Sequence, residues 1–318
     1  MPLTWQNVSR TSDVPRGYVK TARAGRFATE RLAAVLRQMC QVHGLDHRGA
    51  QLLRFTNNAV YRLPNEYAVV RIVASEALRH RAYKVVRVAE WLAEHDIPAA
   101  RLLAGFDQPV VVDGYVGTIW QYVDSAGPLV NGTDLGRLLR CMHAVPPPSF
   151  PLPAWNPLDD VLRRLGDAED LDAGNRAFLL DQCDSVLAEL RELEFALPRA
   201  LVHGDAHLGN LIAGQHGAVL CDFDSTCVGP AEWDLIPVAL SELRFGRPST
   251  CNDELIAAYG FDVREWPGFR VLRTLRELKL TTSVLPILRS NPTVRAEWQR
   301  RMDGFRTGDT TVHWTPFR

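Results

Sequence analysis

The sequence predicts an α+β fold of two lobes, a small antiparallel-sheet lobe and then a larger, mainly helical one, and three observations carry this. Short β-rich runs crowd residues 50–123, a Gly/Pro/Ser/Asn connection (DSAGPLVNGT) spans 124–133, and beyond it apolar residues recur mostly at helical spacing. The 318 residues exceed one ordinary core, since single domains usually run ~100 to 200 residues. We therefore expect a small sheet lobe over 1–123 (with 1–26 as an extension), a hinge over 124–133, and a larger helical lobe over 134–318. A cleft between the lobes is the default ligand site.

Taken in order, Phe27, Leu32, Val35, Leu36 and Met39 recur at near-helical spacing and predict an amphipathic helix over 27–42. AQLLRF, AVYRL and EYAVVRIV, parted by TNN and PN, read as an antiparallel meander. Residues 75–95 read as a helix capped by Ser75 and stopped by Pro98. RLLAGF and PVVVDGYVGTIWQYV return to strands, with DGYVG as a hairpin turn. Helices are then expected near 133–144, 157–166, 173–195, 231–243, 252–259, 268–289 and 293–305.

Composition excludes several classes of function. The chain is 46% apolar and 23% charged, with no window of the ~18 to 20 apolar residues that a membrane helix needs. The N-terminus lacks the apolar core of a secretion signal, so the expectation is a soluble, cytoplasmic protein without a membrane partner. Six scattered cysteines without a CxxC pair fit reduced thiols. Residues 1–123 hold 16 Lys and Arg against 10 Asp and Glu, and the rest hold 20 against 27. No basic stripe marks a nucleic-acid binder, and an acidic second half suits a cationic small substrate. Nothing in the sequence reads out an oligomeric state.

The chemistry concentrates in VHGDAHLGNLIAGQHGAVLCDFDS, residues 202–225. His203, Asp205 and Asn210 give HxDxxxxN, and Asp222 follows 17 residues after Asp205 in DFD. Protein kinases place HRDxxxxN and DFG in the same relation. Phosphoryl transfer from ATP asks the protein mainly to position Mg²⁺ and align a hydroxyl. Asp205 can accept the hydroxyl proton, Asn210 and Asp222 are hard oxygen donors suited to Mg²⁺, and Asp224 can bind a second metal or orient the first.

HGDAHLGN, CDFD and the following GPAEWDL together resemble the aminoglycoside phosphotransferase family, small-molecule kinases of protein-kinase-like fold. The likeness extends roughly over 50–290, is sharp over 202–235, and implies that 1–123 is the nucleotide-binding lobe and 134–318 the catalytic and substrate-binding lobe. It implies that Asp205 is catalytic, that Asn210 and Asp222 bind metal, and that His203 and Asp234 brace the loop, with His207 as a structural hydrogen-bonding residue. Relatives phosphorylate aminoglycosides, macrolides, choline, homoserine and methylthioribose, so the fold leaves the acceptor open. Antibiotic resistance or self-protection is one role the resemblance offers.

On the nucleotide side, EYAVVRIV offers Arg71 where kinases carry a strand lysine for the α- and β-phosphates. Its acidic helix partner is not assignable: counting back from Pro98 leads to Lys84 and Val85, and Glu76 lies earlier. Thr56, Asn57 and Asn58 stand in for a glycine-rich loop, and Gln121, Tyr122 and Val123 of the hinge are expected at the adenine, with Trp120 as gatekeeper. Asp159, Asp160, Asp167, Glu169, Asp170 and Asp172 form an acidic run that would attract a polyamine-like sugar, or serve only as solvated surface.

Two other readings stay open. HGDAH alone could be a metal-dependent hydrolase site with His203, Asp205 and His207 as ligands. The arginine at position 71 also fits a catalytically silent nucleotide-binding regulator.

Overall fold

The computed structural model describes residues 24–55 and 58–317. They form two compact units. One holds the described residues up to Val130 together with Gly209–Thr226, and the other holds Asn131–Leu208 and the residues from Cys227 onward. Among the described residues no helix is long and apolar enough to cross a membrane.

The first unit is built on helix α1 (Ala24–Val42), strands β1 (Gln51–Phe55), β2 (Asn58–Leu63) and β3 (Ala68–Val73), helix α2 (Arg81–Glu94), and strands β4 (Val110–Val112) and β5 (Tyr115–Gln121). The sheet order is β1-β2-β3-β5-β4, and every neighbouring pair is antiparallel. Strand alternation decides the faces: Ala59, Tyr61 and Leu63 join Ala68, Val70 and Ile72 in one buried cluster with Leu32, Val35, Leu36 and Met39 of α1. Arg71 therefore projects from the face opposite α1, where Val73 and Val116 pack with Ala82 of α2. Asp113 and Gly114 take φ of 49° and 74°, the left-handed pair that a two-residue hairpin turn between β4 and β5 requires.

Two expectations in this unit are corrected. RLLAGF is not a strand. Residues 110–112 already occupy that edge of β5, leaving only a bridge between Leu102 and Trp120 and single bonds such as Leu103 N–H to Ile119 O (2.8 Å). The helix expected from Ser75 begins at Arg81 instead, because Ser75 gives its carbonyl to Leu78 N–H in a tight turn and its side chain caps nothing.

The second unit contains α3 (Gly132–Ala144), α4 (Asp159–Gly166), α5 (Ala173–Arg191) and β6 (Arg199–Val202). The hairpin β7 (Leu211–Gly214) and β8 (Gly217–Leu220) then belongs to the first unit, held there by Ala100 N–H to Leu220 O (2.8 Å) and Gly127 N–H to Ala213 O (3.0 Å). The chain returns through β9 (Cys227–Pro230), antiparallel to β6, and continues as α6 (Ile236–Phe245), α7 (Thr250–Tyr259), α8 (Phe269–Thr282) and α9 (Arg295–Thr307). Helix α8 packs against α4, α5 and α6. It ends at Thr282, short of the expected 289, where a separate turn over Leu285–Ile287 carries Pro286. A Cβ on Gly136 would lie 2.7 Å from Leu255 O, so this glycine lets α3 and α7 approach closely.

Candidate active site

In the second unit the loop leaving β6 is held by one buried carboxylate. Asp234 Oδ2 accepts the His203 N–H at 2.6 Å and Oδ1 accepts the Gly204 N–H at 2.7 Å. Asp234 and His203 are both fully buried, and Trp233 Nε1–H adds a bond to Gly204 O at 3.1 Å. The close contact of α3 with α7 sets His143 beside Tyr259: His143 Nε2 lies 3.1 Å from Asp234 Oδ2, and Nδ1 lies 2.9 Å from the Tyr259 hydroxyl. Burial, with Asp234 and Glu232 adding negative charge, holds the Tyr259 hydroxyl well above its ordinary value. The sequence pointed to Asp234 and His203 but gave no signal for His143.

This clamp presents Asp205, whose own N–H bonds His203 Nδ1 at 3.3 Å. Its carboxylate remains 38% exposed, accepts a hydrogen bond from Arg276 of α8, and has His207 Nε2 at 3.8 Å. Burial works against the charge, but Arg276, His207 and His203 together outweigh it and hold the Asp205 carboxyl well below the usual carboxylate range. Asp205 is thus ionised at neutral pH. Arg276 is a partner of Asp205 that motif spacing could not reveal.

In the first unit Asn210 and Asp222 stand at the two ends of the β7–β8 hairpin. The pairing of Leu211 with Leu220 closes it, and Cys221 N–H then bonds Asn210 O at 2.9 Å. Asn210 is buried, whereas Asp222 is exposed and has φ 69° and ψ 70°. A non-glycine residue in left-handed backbone carries strain, and such strain clusters at functional positions. Among the described residues no three His, Cys, Asp or Glu side chains gather as a metal-holding group. His203, Asp205 and His207 therefore do not make the three-ligand centre that the hydrolase reading needs. A Mg²⁺ site asks less of the protein, one or two hard oxygen ligands with phosphate and water completing the shell, and Asn210 and Asp222 fit that demand.

Arg71 on β3 sits opposite Val60 and Thr118 and forms an ion pair with the Asp224 carboxylate. Lys84 of α2 donates to Asp224 O at 2.5 Å and Thr226 O at 2.8 Å. Lys84 is thus a helix residue that reaches the DFD segment, and Glu76 is exposed on the turn before the helix.

Of the expected nucleotide contacts, Thr56 and Asn57 lie outside the described residues, and Asn58 opens β2 opposite Val73. At the hinge Gln121 N–H bonds Arg101 O (2.9 Å) and Tyr122 N–H bonds Tyr67 O (2.7 Å), while Val123 N–H takes no backbone acceptor among the described residues. Trp120 is buried, donates to Thr118 Oγ1 at 2.8 Å, and has its ring centroid 6.2 Å from that of Phe223. Half of the acidic run is engaged within its own unit: Asp160 pairs with Arg163 at 2.8 Å, Asp170 pairs with Arg295, and Asp172 caps α5 through Asn175 N–H at 2.8 Å, while Asp159, Asp167 and Glu169 are exposed.

Residues 53–273 match the phosphotransferase enzyme family, APH. No curated protein matches the chain by sequence. Among solved structures it is similar to a choline/ethanolamine kinase family protein from Mesorhizobium loti at 18% identity and TM-score 0.61, covering 88% of this chain and 94% of that one. It is also similar to the amicoumacin kinase hAmiN, solved with AMP-PNP, Ca²⁺ and amicoumacin, at 15% identity and TM-score 0.65 over 94% and 98%. An aminoglycoside phosphotransferase from Streptomyces rimosus, APH(3'')-Id, matches at 17% identity and TM-score 0.57 over 78% and 98%. These likenesses establish the α+β, protein-kinase-like fold, the α+β part of which the strand and helix pattern predicts and the kinase-like part the family resemblance implies.

Proposed function

The chain belongs to the phosphotransferase enzyme family and is a small-molecule kinase acting on a hydroxyl group, and from that premise we propose that it transfers the γ-phosphate of ATP to a small hydroxylated natural product, with Asp205 as catalytic residue. The observation that carries this is the loop that Asp234 clamps, which fixes His203 and Gly204 by their backbone N–H groups and leaves Asp205 ionised and partly exposed. In the step proposed, the acceptor oxygen bonds to the γ-phosphorus as the bond to the ADP oxygen breaks. The hydroxyl proton passes to Asp205 and then to water.

Asn210 and Asp222 would hold Mg²⁺, which when bound offsets the charge on the ATP phosphates. Arg71 is assigned to the phosphates and Val123 N–H to the adenine edge, with Gln121 and Tyr122 shaping the hinge and Asn58 the phosphate side. Asp224 orients this group through Arg71. His207 stays a supporting residue at Asp205. ATP as donor places the reaction in the cytoplasm, in keeping with six free thiols. Drug resistance or self-protection is the biological role this reading favours.

The experiment is transfer of label from [γ-³²P]ATP to a panel of hydroxylated acceptors by the wild type and Asp205→Asn. Labelled product made by the first and not the second supports the assignment. Equal labelling by both removes it.

A further inference from the structure

Resting on the kinase reading above, we propose that the acceptor carries an oxyanion, such as a carboxylate, phosphate or sulfate, close to its reacting hydroxyl, and that Arg164 and Lys279 recognise it. The argument is one of charge and burial within the second unit. Helix α8 places Arg276 and Lys279 one turn apart, Arg276 on Asp205 and Lys279 Nζ 3.6 Å from Asp160 Oδ2. Both cations lie over the face of Trp233, 5.9 and 5.7 Å from its centroid. Arg164 of α4 reaches the same place and donates to Lys279 O at 3.0 Å.

Two carboxylates, Asp160 and Asp205, share this neighbourhood with four cations. Asp160 is shared by Arg163 at 2.8 Å and Lys279 at 3.6 Å and Asp205 is bound by Arg276, so four cations meet two carboxylates and the cluster carries positive charge in excess. Neither Arg164 nor Lys279 is a solvated surface group: the Lys279 side chain is 17% exposed, and burial pulls both groups below their ordinary values, with Asp160 only partly opposing. Arg276 Nε is also buried without a hydrogen-bond partner. Excess cations in a desolvated place are costly unless an anion completes them. Beside the carboxylate assigned to the acceptor hydroxyl, that anion belongs to the acceptor. A polycationic sugar would instead meet like charge here, and three members of the acidic run that might have drawn it, Asp160, Asp170 and Asp172, are taken up by Arg163, Arg295 and the start of α5.

The test uses the full chain with Mg·ATP and matched acceptors: hydroxy carboxylates with their amides, sugar phosphates with their parent sugars, and aminated sugars. Binding is read by calorimetry and transfer by labelled product. The expected result is selective binding of oxyanion-bearing members, with Lys279→Gln and Arg164→Gln weakening it by about 10 to 100 fold and the ATP KM unmoved. Lys279→Arg, which keeps the charge, should retain most of the affinity and guards against a folding defect in Lys279→Gln. Transfer to neutral or aminated acceptors that is indifferent to both substitutions overturns the inference and leaves the kinase reading standing. Oxyanion binding that depends on Lys279, with no labelled product from any acceptor, supports the anion site and counts against the kinase reading. An ATP KM that rises as much as the acceptor KM assigns the two cations to the nucleotide phosphates and overturns the inference.

Discussion

Arg71 and Asp224 are joined in an ion pair between β3 and the turn after β8, and Lys84 of α2 holds the same turn by two of its carbonyls. A lysine where an acidic partner is expected inverts the usual charge logic: the acid comes from the DFD segment and the helix supplies a second cation. ATP phosphates arriving at Arg71 would compete with Asp224 for one guanidinium, whose fork can serve two oxygen partners at once.

Arg71→Ala should therefore raise the ATP KM by about 10 to 150 fold, the worth of charged hydrogen bonds. Arg71→Lys should recover part, restoring charge without the fork. The double variant with Asp224→Ala should lose less than the sum of the singles, with coupling of about 0.5 to 3 kcal/mol. Additive losses, or unchanged ATP kinetics in a folded Arg71→Ala, would remove Arg71 from the phosphates.

Asp205→Asn should leave ATP affinity within a few fold and lower kcat by about 10² to 10⁴, the usual range for a positioned base. Pre-steady-state label transfer separates the chemical step from product release. A variant that keeps wild-type turnover would show that Asp205 only positions the acceptor.

Asp222→Ala should abolish Mg²⁺-dependent nucleotide binding, and Asn210→Ala should weaken it. Calorimetry with and without Mg²⁺ checks this. Asp222→Gly, which suits the left-handed backbone of φ 69°, should bind as poorly while staying folded, separating a lost ligand from lost shape. Mg·ATP affinity equal to that of the wild type in all three variants would exclude the pair as metal ligands.

Asp234→Ala should be strongly destabilising, because it strands two buried N–H groups, each costing about 1 to 3 kcal/mol. Asp234→Asn keeps one acceptor oxygen and should cost less. Urea denaturation gives both values, and a loss under 1 kcal/mol for Asp234→Ala would mean that water replaces the clamp.

Contiguous patterns made much of this architecture readable. The β-rich runs AVYRL and EYAVVRIV, parted by turn residues, predict two strands, and HxDxxxxN with Asp222 locates the candidate loop because its spacing lies within one short stretch. What spacing cannot show is a partner brought from afar. Arg276 and Lys279 read as charges on an exposed helix, yet they fall on the stripe that begins at buried Leu272, at i+4 and i+7, and a cation on an apolar stripe was the available signal. His143 lacked even that, whereas counting back from Pro98 reaches Lys84 but seeks an acid there. RLLAGF carried strand composition but no free edge to join, which only the assembled sheet reveals.

The last prediction concerns the Arg276 and Asp205 pair. Burial raises the Asp205 carboxyl, and Arg276 is the largest of the influences that bring it below the ordinary value. A depressed folded-state value means that the pair contributes stability above the unfolded-state value of about 4 and loses it as pH falls through the folded one. In the wild type, Asp205 should therefore not set the acid limb of the kcat/KM profile above about pH 4. In Arg276→Gln burial acts with less opposition, so the carboxyl should titrate higher, moving the acid limb toward neutrality and shifting the acid unfolding midpoint upward. Arg276→Lys keeps a charge and should lie between the two. A purely structural Arg276 would lower stability at every pH and leave the shape of the rate profile as it was. An acid limb that stays in place in Arg276→Gln, in protein still folded by circular dichroism, would show that Asp205 does not depend on Arg276 for its ionisation.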